Sequence, residues 1–164
     1  MSRFTRPLLV SPLADGKTWV TMRAFGYDVG TENSGDTVEV SIGFMTDFAT
    51  VPRLFWNVLP KWGKYGNASV IHDWLYWDQT RTRAEADCVF LEGMAVSQVG
   101  VITRYAMFYA VRWFGWLAWY RNQMDRASGY DRVISPPELQ AGLRAGRVSG
   151  RRSLTGHMIR KMLP

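Results

Sequence analysis

The apolar residues of this chain change their spacing at residue 47, and that change restricts the fold more than any bulk property. Before it they come in short runs of β-formers: Leu8-Leu9-Val10, Trp19-Val20-Thr21-Met22 and Val38-Glu39-Val40-Ser41-Ile42. In the third run Val38, Val40 and Ile42 alternate with Glu39 and Ser41, the period of a strand with one wet face. Asp15-Gly16 and Asn33-Ser34-Gly35-Asp36 separate the runs, and Asp-Gly between two β-runs predicts a hairpin. From Asp47 onward the spacing is helical. Pro52 can open a short helix over 53–59 that Pro60 ends. Asn67 is placed to cap a helix over 68–79, and Thr82 one over 81–99 that ends at Gly100. In the latter, Ala86, Val89, Phe90, Met94 and Val96 share one broad face. Strands followed by helices predict an α+β fold, with a small N-terminal antiparallel sheet packed on a helical bundle.

Length and charge refine the expectation. At 164 residues the chain is of single-domain size and can bury a core without staples. One cysteine, Cys88, excludes an intramolecular disulfide and any multi-cysteine zinc site. The net charge of +6 is concentrated at the C-terminus, where Arg144, Arg147, Arg151, Arg152, Arg160 and Lys161 face a single acid, Glu138. Pro136-Pro137 reads as a hinge before a short basic helix around 138–144. The expected division is a domain over 1–134 and a basic extension over 135–164. Such an extension suits an acidic protein surface, lipid headgroups or nucleic acid; the alternative is a solvated tail. No apolar run follows Met1 as in a signal peptide.

The segment from Val101 to Tyr120 holds eight aromatic residues and is long enough to span a bilayer. Arg104 and Arg112 within it would each cost about 2.5–3.5 kcal/mol near mid-membrane. The segment is therefore read as a buried core helix with an arginine edge, not a transmembrane one. An interfacial helix lying on a membrane is the alternative, which the tryptophan and tyrosine content would suit.

Candidate chemistry centres on Gly63-Lys64-Tyr65-Gly66-Asn67 and Ile71-His72-Asp73-Trp74-Leu75-Tyr76. On a helix His72, Asp73 and Tyr76 share a wide face, and a helical hairpin would return Asp87 towards His72. A carboxylate from Asp87 or Asp47 on one imidazole nitrogen would fix the tautomer of a general base. Asp73 could hold a hard cation, with Asp47 as a second acid and loop carbonyls around Gly63 and Gly66 as further oxygens. Arg53 would serve as an anion clamp or partner. The plainer alternative is a buried network, with Asp73 or Asp87 paired to Arg53, Arg81 or Arg83.

A glycine-bearing loop, His-Asp-x-x-Tyr on one helix and Arg-x-x-x-Asp-x-x-Phe on the next are similar to the active-site helices of secreted and parvoviral phospholipases A2. The resemblance implies that His72 activates a water, Asp73 binds Ca²⁺, Asp87 orients His72 and Tyr76 bonds Asp87. It thus implies a Ca²⁺-dependent lipid or ester hydrolase. The chain departs from that pattern in lacking flanking cysteines and a clear calcium-loop glycine pattern. A broader resemblance covers residues 6–119. Gly43 to Arg53, Lys64-Tyr65, the His72 helix, Arg83 with Ala86-Asp87-x-x-Phe90, and Tyr109-x-x-Arg112-x-x-Gly115 look like a phage and prophage domain of unknown function. Its signature reads GF-x-TDFASVPR, HDYLY, R-x-x-AD-x-x-F. This resemblance implies phage origin. The expectation is a minor virion or tail component acting at the host envelope, found in the virion or the infected bacterial cell. Its partners would be other phage structural proteins and an anionic membrane surface. A non-catalytic structural or assembly protein docking through its arginine-rich tail is the rival; nucleic-acid binding by that tail is a weaker third reading.

Overall fold

A computed structural model describes residues 3–48 and 63–145. The helix expected over 53–59 lies outside the described residues, as do Arg53, Arg147, Arg151, Arg152, Arg160 and Lys161.

The fold is α+β, with its β-structure N-terminal, and the strands form two three-stranded antiparallel sheets rather than one. In the first, β4 (Phe25–Asp28) lies between β1 (Arg3–Phe4) and β5 (Thr37–Val40), with Tyr27 opposite Val38. In the second, β3 (Trp19–Thr21) lies between β2 (Val10–Pro12) and β6 (Met45–Thr46). The Asp15-Gly16 turn joins β2 to β3, and its geometry follows from the sequence. Gly16 takes φ +66°, and Asp15 Oδ1 accepts from the N–H groups of Lys17 and Thr18. Along β5, Val38 and Val40 are buried while Thr37 and Glu39 are exposed, as the alternation requires. Ile42, expected on the same face, instead lies beyond the strand in a turn and is 37% exposed. Strand β4 carries no such pattern because all four of its residues are buried. Gly26 lets the strand pack closely, since a Cβ there would meet the Val38 carbonyl at 2.8 Å.

Five described helices follow: α1 (Gly66–Asp78), α2 (Arg83–Val96), α3 (Val101–Phe114), α4 (Trp116–Ala127) and α5 (Pro136–Arg144). Thr82 caps α2 with a full capping box to Glu85. Helix α1 starts earlier than Asn67 would dictate; Tyr65 is its N-cap, with no side-chain cap bond. The stretch expected as one helix over 101–120 is two, divided at Gly115. Tyr76 dictates the glycine, because a Cβ there would lie 2.3 Å from the Tyr76 Oη. Nor is α3 a core helix: it buries Met107, Ala110 and Val111 and leaves most of its aromatic residues outside. Helix α1 is buried nearly all round. Val70, Ile71, Leu75 and Tyr76 join Phe25, Tyr27, Val38 and Phe44 in the main core. Glu92 of α2 ties that helix to the first sheet by accepting from the Tyr27 hydroxyl and the Gly30 N–H.

The expected boundary at residues 134/135 is not a break in packing. Pro136 opens α5 under a Ser135–Glu138 capping box, and Leu139 packs with Leu13, Val20, Met45 and Ile134. Gly43, at φ +86°, is pressed against this segment; a Cβ there would lie 2.1 Å from the Ile134 carbonyl oxygen. Arg144 closes α5, exposed in its last turn. Leu139→Ala should therefore lower stability in urea denaturation by about 2–5 kcal/mol, the range for emptying a packed leucine site. A change under about 0.5 kcal/mol would mean that α5 is an appendage.

Candidate functional site

Helices α1 and α2 form a hairpin, and its sequence makes the reversal. Gln79 takes the left-handed conformation at φ 55°, with its N–H returning to Leu75 O, and Thr82 starts α2 three residues later. At the other end Gly93 lets the helices approach; a Cβ there would meet the Ala68 Cβ at 3.1 Å. Asp87, one turn into α2, is thereby set against the middle of α1.

Asp87 is wholly buried and each of its oxygens takes two donors. Oδ1 faces His72 Nε2 at 3.0 Å and accepts from the Tyr76 hydroxyl at 2.7 Å. Oδ2 accepts from Arg112 Nη1 at 3.0 Å and Arg83 Nη1 at 3.4 Å. A carboxylate buried alone would be driven to its neutral form. Burial does push the Asp87 pKa up, but the hydrogen bonds from His72, Tyr76 and Arg112 outweigh it. The carboxyl ends below its ordinary value. The same burial, with the Asp87 bond and charge, pushes the Tyr76 phenol well above its usual range, so it stays a donor. An ionised carboxylate can only accept, so His72 Nε2 carries the proton and Nδ1 keeps the lone pair in the neutral ring. Tyr76 and Phe90 flank the imidazole, with ring centroids at 4.1 and 4.7 Å.

The His72 side chain is 3% exposed, yet it lines a cavity of about 440 Å³. Its apolar lining is Ala110, Val111, Phe114, Leu117 and Ala118 from α3 and α4. Its polar lining is Asp47, Asp73, Tyr76, Arg121, Asn122 and Arg132. Thr46 places Asp73 by donating its hydroxyl to Oδ2 at 2.5 Å and accepting the Phe48 N–H at 3.2 Å. Phe48 holds a left-handed φ of 53° to do this, a strain of about 1–2 kcal/mol for a bulky residue. Its ring packs against Trp19. Asn122 donates to Tyr76 O at 2.9 Å, while its buried Oδ1 has no hydrogen-bond partner among the described residues.

Of the residues singled out from the sequence, His72, Tyr76 and Asp87 come together, and Asp73 and Asp47 line the same cavity. Of the two candidate partners for the imidazole, Asp87 is the one in contact. The Gly63–Gly66 loop does not face Asp73. It lies about 10 Å away along α1 at 1.5 Å per residue, and the Gly63 carbonyl accepts from Gly66 N–H. The segment beside Asp73 is instead the 46–48 turn. Among the described residues no three His, Cys, Asp or Glu side chains converge as a metal site. Arg81 pairs with Asp36, not with the site. Arg112 is the partner that spacing does not reveal. An arginine in an apolar helix signals that some acceptor awaits it, but which one is a matter of tertiary contact. Asn122, Arg121 and Arg132 carried no signal.

The chain belongs to the family described as Protein of unknown function (DUF1353), whose sequence model matches residues 19–111. That span contains His72, Asp73, Tyr76, Asp87 and the Thr46 turn. A relative, the uncharacterized protein y4jT of Sinorhizobium fredii (strain NBRC 101917 / NGR234), is 35% identical over 78 residues. The aligned stretch is 46% of this chain and 23% of that protein's length. No solved structure matches.

Asp87's stabilising effect has a definite pH window. Because its folded pKa is depressed, the contribution is complete above the unfolded value of about 3.9 and is lost as pH falls through the lower folded value. Asp87→Asn should cost about 3–5 kcal/mol at pH 7, as expected when one charge of a buried network is removed. The difference from the parent protein should shrink by pH 3. Urea denaturation at both pH values measures it, and an undiminished gap at pH 3 contradicts the assignment.

Proposed function

We propose that this protein is a hydrolase of acyl esters in which His72 is the general base. The supporting observation is the placement of the His72 ring between a buried, ionised Asp87 and a cavity large enough for a small-molecule substrate. In this reading water in the cavity gives a proton to His72 Nδ1 as its oxygen attacks the ester carbonyl. Asp87 stabilises the resulting imidazolium, which returns the proton to the departing alkoxide. Tyr76, Arg83 and Arg112 keep Asp87 ionised and in place. The apolar lining suits an acyl chain, and Arg121 and Arg132 suit a polar or anionic head. The resemblance to phage and prophage proteins supports reading it as a minor virion or tail component acting at the host envelope.

Calcium is the cation that the phospholipase resemblance implies. The donors available are all hard oxygens, which suit it in kind. Asp73 and Asp47 are the carboxylates that would hold it, with the unpartnered Asn122 Oδ1 as a neutral ligand. A bound ion would supply positive charge to the oxyanion of ester attack.

A second reading draws on the 3% exposure of His72 and the four donors on Asp87. In it the network is a keystone of the fold, and the protein is a non-catalytic part of a phage particle.

Chromogenic acyl esters of graded chain length separate the two. The parent protein should hydrolyse them, and His72→Ala, checked by circular dichroism to be folded, should lose about 10²–10⁴-fold in kcat/KM. Absence of hydrolysis by the parent, or equal rates in the variant, favours the keystone reading. Calcium at a hundredfold excess over its Kd should stabilise the protein by about 2.7 kcal/mol relative to chelator. An unchanged Tm would remove the cation from the proposal.

A further inference from the structure

Helices α3 and α4 present an apolar stripe that no described part of the chain covers. Ile102, Tyr105, Tyr109 and Trp113 on α3 continue as Trp116 and Tyr120 on α4, at steps of three or four residues. At about 100° per residue the four positions on α3 fall on one side of that helix, and Trp116 and Tyr120, four apart, on one side of α4. Their exposures run from 42% for Tyr105 to 88% for Ile102. The rings of Tyr105, Tyr109 and Trp113 lie in series, with centroids 6.5 and 5.7 Å apart. A contiguous apolar surface of this extent marks an interaction site.

Charge selects the occupant. Of the arginines on the two helices, Arg112 is held by Asp87 and Arg126 by the Trp77 and Asp78 carbonyls, which leaves Arg104 and Arg121 to meet a partner; the one acid, Asp125, is completely buried. The Arg104 guanidinium lies 5.6 Å over the Tyr105 ring, and Arg121 is exposed on α4 beside the cavity. A second copy of the chain is disfavoured, because a two-fold contact would set arginines against arginines with no acid to pair. Tryptophan and tyrosine flanked by arginine suit the headgroup layer of an anionic bilayer, where rings bury their apolar bodies and keep their polar tips wet. No helix among the described residues is long and apolar enough to cross a membrane, so the stripe would lie in the surface plane. The stripe also runs into the cavity. Phe114 and Leu117, 61% and 57% exposed beside it, line the same cavity as His72.

We infer that the α3–α4 face docks on an anionic lipid bilayer, and that the His72 cavity draws its ester from that bilayer along Phe114 and Leu117. The docking half stands alone; the substrate half rests on the hydrolase reading. An acyl chain would pass from lipid to the apolar lining without crossing water, which assigns the substrate class as amphiphilic lipid esters.

Co-sedimentation of the full chain with phosphatidylglycerol vesicles, and with phosphatidylcholine vesicles as the neutral arm, tests the docking. The parent should bind the anionic vesicles at least tenfold more tightly, and Trp113→Ala/Trp116→Ala should lose at least tenfold of that affinity. His72→Ala should bind as the parent does, so docking is read independently of catalysis. Binding that survives the tryptophan changes would come from the arginine-rich tail and would overturn the assignment. Sedimentation velocity showing a dimer broken by those changes, or tighter binding to a single-stranded oligonucleotide than to vesicles, would overturn it as well. For the substrate half, the double variant should hydrolyse a short soluble ester at the parent rate. It should lose at least tenfold on an ester embedded in phosphatidylglycerol vesicles. Equal losses on both esters would refute lipid delivery, while hydrolysis of neither by the parent would refute the hydrolase reading and leave the docking result standing.

Discussion

The buried charge of Asp87 organises the helical half of this molecule. A carboxylate removed from water is tolerated only if its oxygens are saturated by donors, and here they come from three helices. Helix α1 contributes His72 and Tyr76, α2 contributes Arg83, and α3 contributes Arg112. The attachment of α3 to the α1–α2 hairpin thus has a polar lock as well as the apolar contact of Met107 and Val111 with Phe90 and Met94. The same lock explains the break between α3 and α4. Tyr76 must reach Asp87, its hydroxyl lies where a Cβ at residue 115 would stand, and only glycine leaves that space.

The β half acts on the cavity through one short segment. Strand β6 pairs with β3, Met45 N–H donates to Arg132 O, and Gly43 O accepts from Ile134 N–H. Residues 43–46 are thereby clamped between a sheet and the 130–134 segment. The Thr46 hydroxyl emerges from this clamp onto Asp73, and Asp47 and Arg132 emerge at the cavity. Two sheets with few residues each therefore do more than cover the helices. They hold polar lining residues in register with His72.

Polarity is distributed unusually across the helices. His72 and Asp73 of α1 and Asp87 of α2 are buried, while Tyr105, Tyr109, Trp113 and Phe114 of α3 and Trp116 and Tyr120 of α4 are exposed. In a water-soluble fold with no other demands the arrangement would be reversed. The buried His72 and Asp73 and the exposed Phe114 line the same cavity.

Much of this was legible in the chain itself. Alternation at Val38 and Val40, the Asp15-Gly16 turn, the Thr82 cap and the succession of strands then helices prescribe local structure from neighbouring residues alone. The i,i+4 pairing of His72 with Tyr76 and a hairpin-length separation from Asp87 were enough to suggest that the three meet. Strand β4 was hidden because a segment buried on both faces loses its alternation. Packing, not spacing, brought Arg112 to Asp87 beside Arg83 and left Arg81 on Asp36, since a charge in an apolar segment announces a need without naming its acceptor. The direction of the aromatic face of α3 was equally undetermined. A helix with apolar residues on nearly every side can bury any of them, and only the commitment of Met107, Val111 and Arg112 to the α1–α2 hairpin turned Tyr105, Tyr109 and Trp113 to the outside.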